Sequence, residues 1–186
     1  MTKLKLNINK NQGFTLIEIL VVAAVTGIIT SFMIINFQRT RLDLNESASE
    51  FIGAVRAARS KANASAKLDD NLGSGFVIRC GYGIHYEGPI SYSTYVGPDA
   101  TLNDCSAQNR NFGVNDVRVL PIKKFAESRV EFKGAFSDIF FEPPFSTTYI
   151  DNSSANNTIP ITIGKIGGVC PQECKTINVS TSGTIQ

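Results

Sequence analysis

Phe14-Thr15-Leu16-Ile17-Glu18-Ile19-Leu20-Val21-Val22-Ala23-Ala24-Val25-Thr26-Gly27-Ile28-Ile29-Thr30-Ser31-Phe32-Met33-Ile34-Ile35-Asn36-Phe37 is a run of 24 residues holding one charge, Glu18. Coiled as an α-helix it would measure about 36 Å, enough to cross a hydrocarbon core of about 30 Å. It is too long for the core of an ordinary secretory signal peptide, and no small-x-small cleavage site follows it closely. A plain membrane anchor satisfies the length but leaves Glu18 unexplained. That carboxylate would lie about 6 Å into the run, where an ionised acid costs a few kcal/mol unless it is paired. Gly27 weakens the helix locally by roughly 1 kcal/mol, and with no proline after it in the run it marks a soft point rather than a kink.

On the N-terminal side, residues 1–13 are polar and carry Lys3, Lys5 and Lys10, a charge bias that keeps a leader in the cytoplasm. On the C-terminal side the helical period continues. Leu44, Ala48, Phe51, Ile52, Val55, Ala58, Ala62 and Ala66 recur at three- and four-residue steps, with Glu46, Glu50, Arg56, Arg59 and Lys61 between them. The expected organisation is a leader at 1–13, a transmembrane helix at 14–37, an amphipathic continuation at 38–68 and a β-rich head at 75–186. The stretch Asp69–Gly75, rich in turn residues, stops the helix.

The remainder reads as short strands near 76–80, 83–87, 90–96, 117–122, 129–133, 138–142, 159–164 and 175–180. Segments 97–116 and 146–158, rich in Asn, Asp, Ser and Thr, read as surface loops. One long helix followed by consecutive strands predicts an α+β protein: a helical spine whose apolar stripe is covered by one face of an antiparallel sheet. Phe132, Phe136, Phe140, Phe141 and Phe145 are expected in the sheet core.

Four cysteines, Cys80, Cys105, Cys170 and Cys174, fit two disulfides in an oxidising compartment. Three pairings are open; the closeness of Cys170 to Cys174 favours that pair and leaves Cys80 with Cys105. A zinc site would need a second close pair, which Cys80 and Cys105 do not make. The 18 Lys and Arg exceed the 16 Asp and Glu by two, and removing Lys3, Lys5 and Lys10 turns that +2 into −1. Such a chain has no global electrostatic reason to bind nucleic acid.

Within the opening run, Gly13-Phe14-Thr15-Leu16-Ile17-Glu18 after a basic leader resembles the prepilin cleavage and methylation signal of the type IV filament superfamily. The resemblance implies that a membrane peptidase cuts after Gly13 and methylates the new Phe14 amine. It also implies a filament of sister subunits in which Glu18 pairs with a neighbour's amine, raised on an assembly platform in the inner membrane. The physics agrees residue by residue. Gly13 lets an extended backbone enter a tight protease site, and an acid near a helix start is favoured by the helix dipole.

A second resemblance covers Ala54-Val55-Arg56-Ala57-Ala58-Arg59-Ser60-Lys61-Ala62 and the closing Thr176–Ile185, which look like the A-R-S-E-A stretch and the final strand-turn-strand of GspH/FimT-type minor pseudopilins. Lys61 stands where that family has an acid, and Thr184 where it ends in a basic residue.

No constellation supports an enzyme. His85 is the one histidine and has no nucleophile attached to it by any motif. Asp69, Asn71 and Gly73 lack the distant acid of a calcium loop. The reading calls for no cofactor, metal or small-molecule substrate. It implies a single-pass protein of the inner membrane with its head on the extracytoplasmic side. A DNA-uptake pilin and a non-polymerising anchored adhesin or sensor are the rivals. The first would need a basic patch, for which Arg118, Lys123, Lys124 and Arg129 are the candidates.

Overall fold

The computed structural model describes residues 14–64, 68–69, 76–77, 79–98, 105–114, 116–145 and 147–186, with backbone alone for 35–40, 68, 69, 76 and 77. The chain divides into two compact units, Met1–Arg39 and Thr40–Gln186. Helix α1, Leu16–Asn63, begins in the first and ends in the second. The leader, Gly13 included, lies outside the described residues, as do residues 65–67 and most of the turn expected to stop the helix.

In the first unit, Leu16–Ile34 has a mean hydropathy of 2.3 and none of it is buried in protein. It is long and apolar enough to cross a membrane. Its hydroxyls are satisfied within the helix: Thr26 donates to the Val22 carbonyl (2.9 Å), Thr30 to that of Thr26 (2.9 Å) and Ser31 to that of Gly27 (2.8 Å). A hydroxyl in hydrocarbon needs such a partner. The helix passes through Gly27 without a break.

The second unit, the head, is built around the remaining turns of α1. Leu44, Ala48, Phe51, Val55, Ala58 and Ala62 are buried, one face of the helix taken at alternating steps of four and three. Eleven strands are described: β1 (Leu68–Asp69), β2 (Phe76–Val77), β3 (Tyr82–Gly88), β4 (Ser91–Val96), β5 (Val117–Arg118), β6 (Lys123–Lys124), β7 (Val130–Phe132), β8 (Ile139–Glu142), β9 (Thr147–Ile150), β10 (Thr158–Lys165) and β11 (Cys174–Ser180). Every pairing among them is antiparallel.

Three features differ from expectation. The helix stripe is covered by two principal sheets rather than one face of one sheet, a six-stranded sheet ordered β5-β4-β3-β8-β9, with β6 also on β4, and a three-stranded sheet ordered β11-β10-β7. Ile84, Tyr92, Ile139 and Phe141 come from the first, and Val130, Phe132, Ile161, Ile163, Ile177 and Val179 from the second. Phe51 meets both, packing edge-on to Tyr92 of β4 and to Phe132 of β7.

The 146–158 segment also departs from a loop. Thr147–Ile150 pairs with β8, because Thr148 and Ile150 supply the alternate buried positions that a polar composition conceals. Finally, Phe145 in the β8–β9 turn is 88% exposed, whereas Phe132, Phe136, Phe140 and Phe141 are buried.

Candidate functional site

At the start of α1, Thr15 precedes the first helical residue, and its Oγ1 accepts the Glu18 N–H at 3.3 Å. The Glu18 carboxylate reaches back to accept the Thr15 N–H at 3.5 Å. This reciprocal arrangement is a capping box, which satisfies two of the donors that a helix start leaves open. Sequence reading placed Glu18 by its depth and by the helix dipole; the T-x-x-E spacing that signals the box was present at Thr15-Leu16-Ile17-Glu18 and was not used. Phe14, one residue ahead, is 79% exposed. The acid is therefore held within one turn of the Phe14 backbone nitrogen, where a cleaved chain would carry its amine. Gly13, the other half of that junction, lies outside the described residues.

In the head, disulfides join Cys80 to Cys105, with Cα atoms 5.3 Å apart, and Cys170 to Cys174, 5.2 Å apart. The first ties the 105–114 segment to the start of β3. The second closes the β10–β11 turn.

His85 packs against Asp138 and Phe112. Its Nδ1 lies 2.6 Å from Asp138 Oδ1, and the Phe112 ring lies 4.7 Å away. The other Asp138 oxygen accepts the Phe112 N–H. Nearby Asp116 is half-buried, and that desolvation pushes its carboxyl up to about 6 against the hydrogen bond from Gly113. These contacts tie the segment around Phe112 to β3 and to Asp138. Among the described residues no cluster of three or more His, Cys, Asp or Glu could hold a metal ion.

The two stretches that resemble minor pseudopilins meet in space. Arg59 Nη1 donates to the Gly183 carbonyl at 2.6 Å, and Gly183 takes φ +81°, a conformation that favours glycine. The terminal residues then pair back along β11: Asn178 exchanges both backbone hydrogen bonds with Gln186, and Ser180 N–H donates to Thr184.

The candidate basic patch is largely consumed by ion pairs. Arg118 binds Glu87 at 2.7 Å, Lys123 binds Glu50 at 3.0 Å and Arg129 binds Asp43 at 2.7 Å. The last two fasten β6 and the turn before β7 to α1.

Among known families, the prokaryotic N-terminal methylation motif matches residues 8–34. No curated protein and no solved structure matches the chain. The motif indicates a type IV pilin-like or pseudopilin subunit, consistent with processing by a prepilin peptidase and assembly with other pilins. The apolar helix at Leu16–Ile34 is consistent with the membrane anchor of such a protein. The match ends before the head begins.

Proposed function

We propose that the chain is a minor pilin or pseudopilin of the GspH/FimT type, serving type II protein secretion or type IV pilus assembly. A prepilin peptidase cuts between Gly13 and Phe14 and methylates the Phe14 amine. The mature subunit waits in the inner membrane with its disulfide-bearing head outside the cytoplasm, and an assembly platform then moves it into a filament. The observation that carries this reading is the coincidence of the methylation-motif match with Glu18, the single charge in the apolar stretch Leu16–Ile34, none of which is buried in protein.

Glu18 gives the helix a reason to leave lipid for a bundle. Alone it bears the cost of a carboxylate in the membrane; beside the cationic amine of a neighbouring Phe14 that cost is offset. The contact between Arg59 and the Gly183 turn supports the minor-pseudopilin assignment, because it joins the two segments on which that resemblance rests.

Glu18→Ala tests the reading. Membrane insertion should persist or improve, while co-purification of the variant with assembled filaments should fall. Normal incorporation of the variant would remove Glu18 from the mechanism. Engagement of Arg118, Lys123 and Arg129 by acids speaks against the DNA-uptake alternative. Binding to duplex DNA at physiological salt should be no tighter than about 10⁻⁴ M, the weak end of non-specific affinity; a mobility-shift titration measures it.

A further inference from the structure

The β10–β11 turn combines features that neither the fold nor the assembly reading uses. Val169 is 71% exposed and Ile166 49%, both on the turn whose last residues are tied to β11 by the Cys170–Cys174 disulfide. Much of the turn's backbone is already hydrogen-bonded. Gly168 N–H donates to the Lys165 carbonyl (2.8 Å), Glu173 N–H to that of Val169 (3.2 Å) and Val169 N–H to the Glu173 carboxylate (3.2 Å). Ile166 N–H donates to the Arg129 carbonyl at 2.8 Å. Apolar side chains on a turn with many of its donors already bonded suit a surface that offers few hydrogen bonds.

The turn's place in the head points to that surface. β11 runs alongside α1 in the same direction: Lys175 donates to Asn45 at 3.1 Å, and Gly183, just past the strand, accepts from Arg59. The opposite end of the hairpin, Ile166–Val169, therefore lies at the Thr40 end of the head. Arg129 confirms the level, since it pairs with Asp43 and its carbonyl binds Ile166. Leu42, exposed at 66%, sits at the same end. From Thr40 back to Ile34, where the membrane-crossing stretch ends, are six residues, a reach of at most about 20 Å. Lys165 and Lys175 flank the turn on long stems that can keep their ammonium groups in a polar layer while apolar neighbours go deeper. Asp43 and Glu173 offset part of the local positive charge, so apolar insertion is the main term and charge the lesser one.

We propose that this disulfide-closed turn is an interfacial foot: Ile166 and Val169 enter the boundary of the bilayer that holds the anchor, and Lys165 and Lys175 meet anionic lipid headgroups, so that the unassembled head rests on the membrane. The inference rests on the membrane-anchor reading of Leu16–Ile34.

The chain has no tryptophan, which makes one introduced there a clean probe. The processed full-length protein is placed in nanodiscs of phosphatidylcholine with or without phosphatidylglycerol, using brominated acyl chains as quencher. Val169→Trp should emit at short wavelength and lose most of its intensity to brominated lipid, with Ile166→Trp as the substitute if that variant fails to fold. Val114→Trp should do neither. Val114 is fully exposed near Val117, which pairs with Val96; Val96 pairs with Tyr82, whose ring lies under Lys61 near the far end of α1. Adding Ile166→Asp to Val169→Trp should abolish the quenching. Changing Lys165 or Lys175 to Gln should lower the docked-to-undocked ratio in anionic discs by about fivefold each.

A chain that fails to co-purify with nanodiscs contradicts the anchor itself. A chain that co-purifies while Val169→Trp emits like a water-exposed indole, unquenched, overturns the foot alone. Short-wavelength emission without quenching by brominated lipid also overturns it, and assigns the turn to a second copy or another protein.

Discussion

The two ends of α1 obey different solvents. From Leu16 to Ile34 every residue is exposed and apolar residues surround the axis; from Leu44 to Ala62 one stripe is buried to nearly nothing and the opposite face is charged. The first stretch carries its information in chemistry, as one acid placed among hydrocarbon side chains. The second carries it in shape, as Phe51 edge-on to Tyr92, Phe132 and Phe136 with ring centroids 5.2–5.5 Å apart. A substitution that preserves hydrophobicity should therefore be tolerated in the first stretch and damaging in the second.

That contrast gives the largest expected effect. Phe51→Ala should destabilise the head by about 3–5 kcal/mol, the range for truncating a buried aromatic. Phe32→Ala in the exposed apolar stretch should leave the head's melting unchanged. Thermal unfolding of the full chain in micelles, followed by near-ultraviolet circular dichroism, compares them; equal losses would erase the distinction.

The disulfides sharpen the same comparison within the head. Replacing Cys80 and Cys105 by serine opens a loop with a sequence separation of 25 and should cost about 3 kcal/mol in the chain-entropy account. Replacing Cys170 and Cys174, separated by 4, should cost about 2 kcal/mol. Denaturant midpoints of the two variants rank them.

These magnitudes explain what was legible in the sequence. The stripe Leu44–Ala62 could be read because a helix repeats its buried face at fixed steps. The strands near 83–87, 90–96, 138–142, 159–164 and 175–180 could be read from runs of alternating or apolar residues. β9 could not, because Thr147, Thr148 and Tyr149 look like loop until β8 supplies a partner. The division of the core between two sheets was hidden as well, since it depends on which face of each strand meets the helix. At the helix start, Glu18 stood out as a lone acid in an apolar run and the prepilin resemblance supplied the roles expected of Phe14 and Glu18, while the Thr15 cap, which orients the acid, was the part missed.

Smaller effects follow. Arg59→Met should remove the charged donor to the Gly183 carbonyl and cost about 1.5 kcal/mol, visible as a lower melting temperature with both disulfides intact. The Asp116 carboxyl gives a pH signature. Its folded value is raised to about 6 from 3.8, so between those values the folded chain holds more proton than the unfolded one, and this group's contribution to stability falls as pH rises through that window. Asp116→Asn should therefore gain stability relative to the parent at pH 7 compared with pH 4. A difference that does not change with pH would remove Asp116 from the balance.

The account stands on the junction between leader and helix, and the most direct measurement is the mass and N-terminal sequence of the protein extracted from membranes of a host with an active prepilin peptidase. Cleavage after Gly13 predicts a chain that begins at Phe14 and carries one additional methyl group on its amine. An N-terminus at Met1 or Thr2 under those conditions would contradict it.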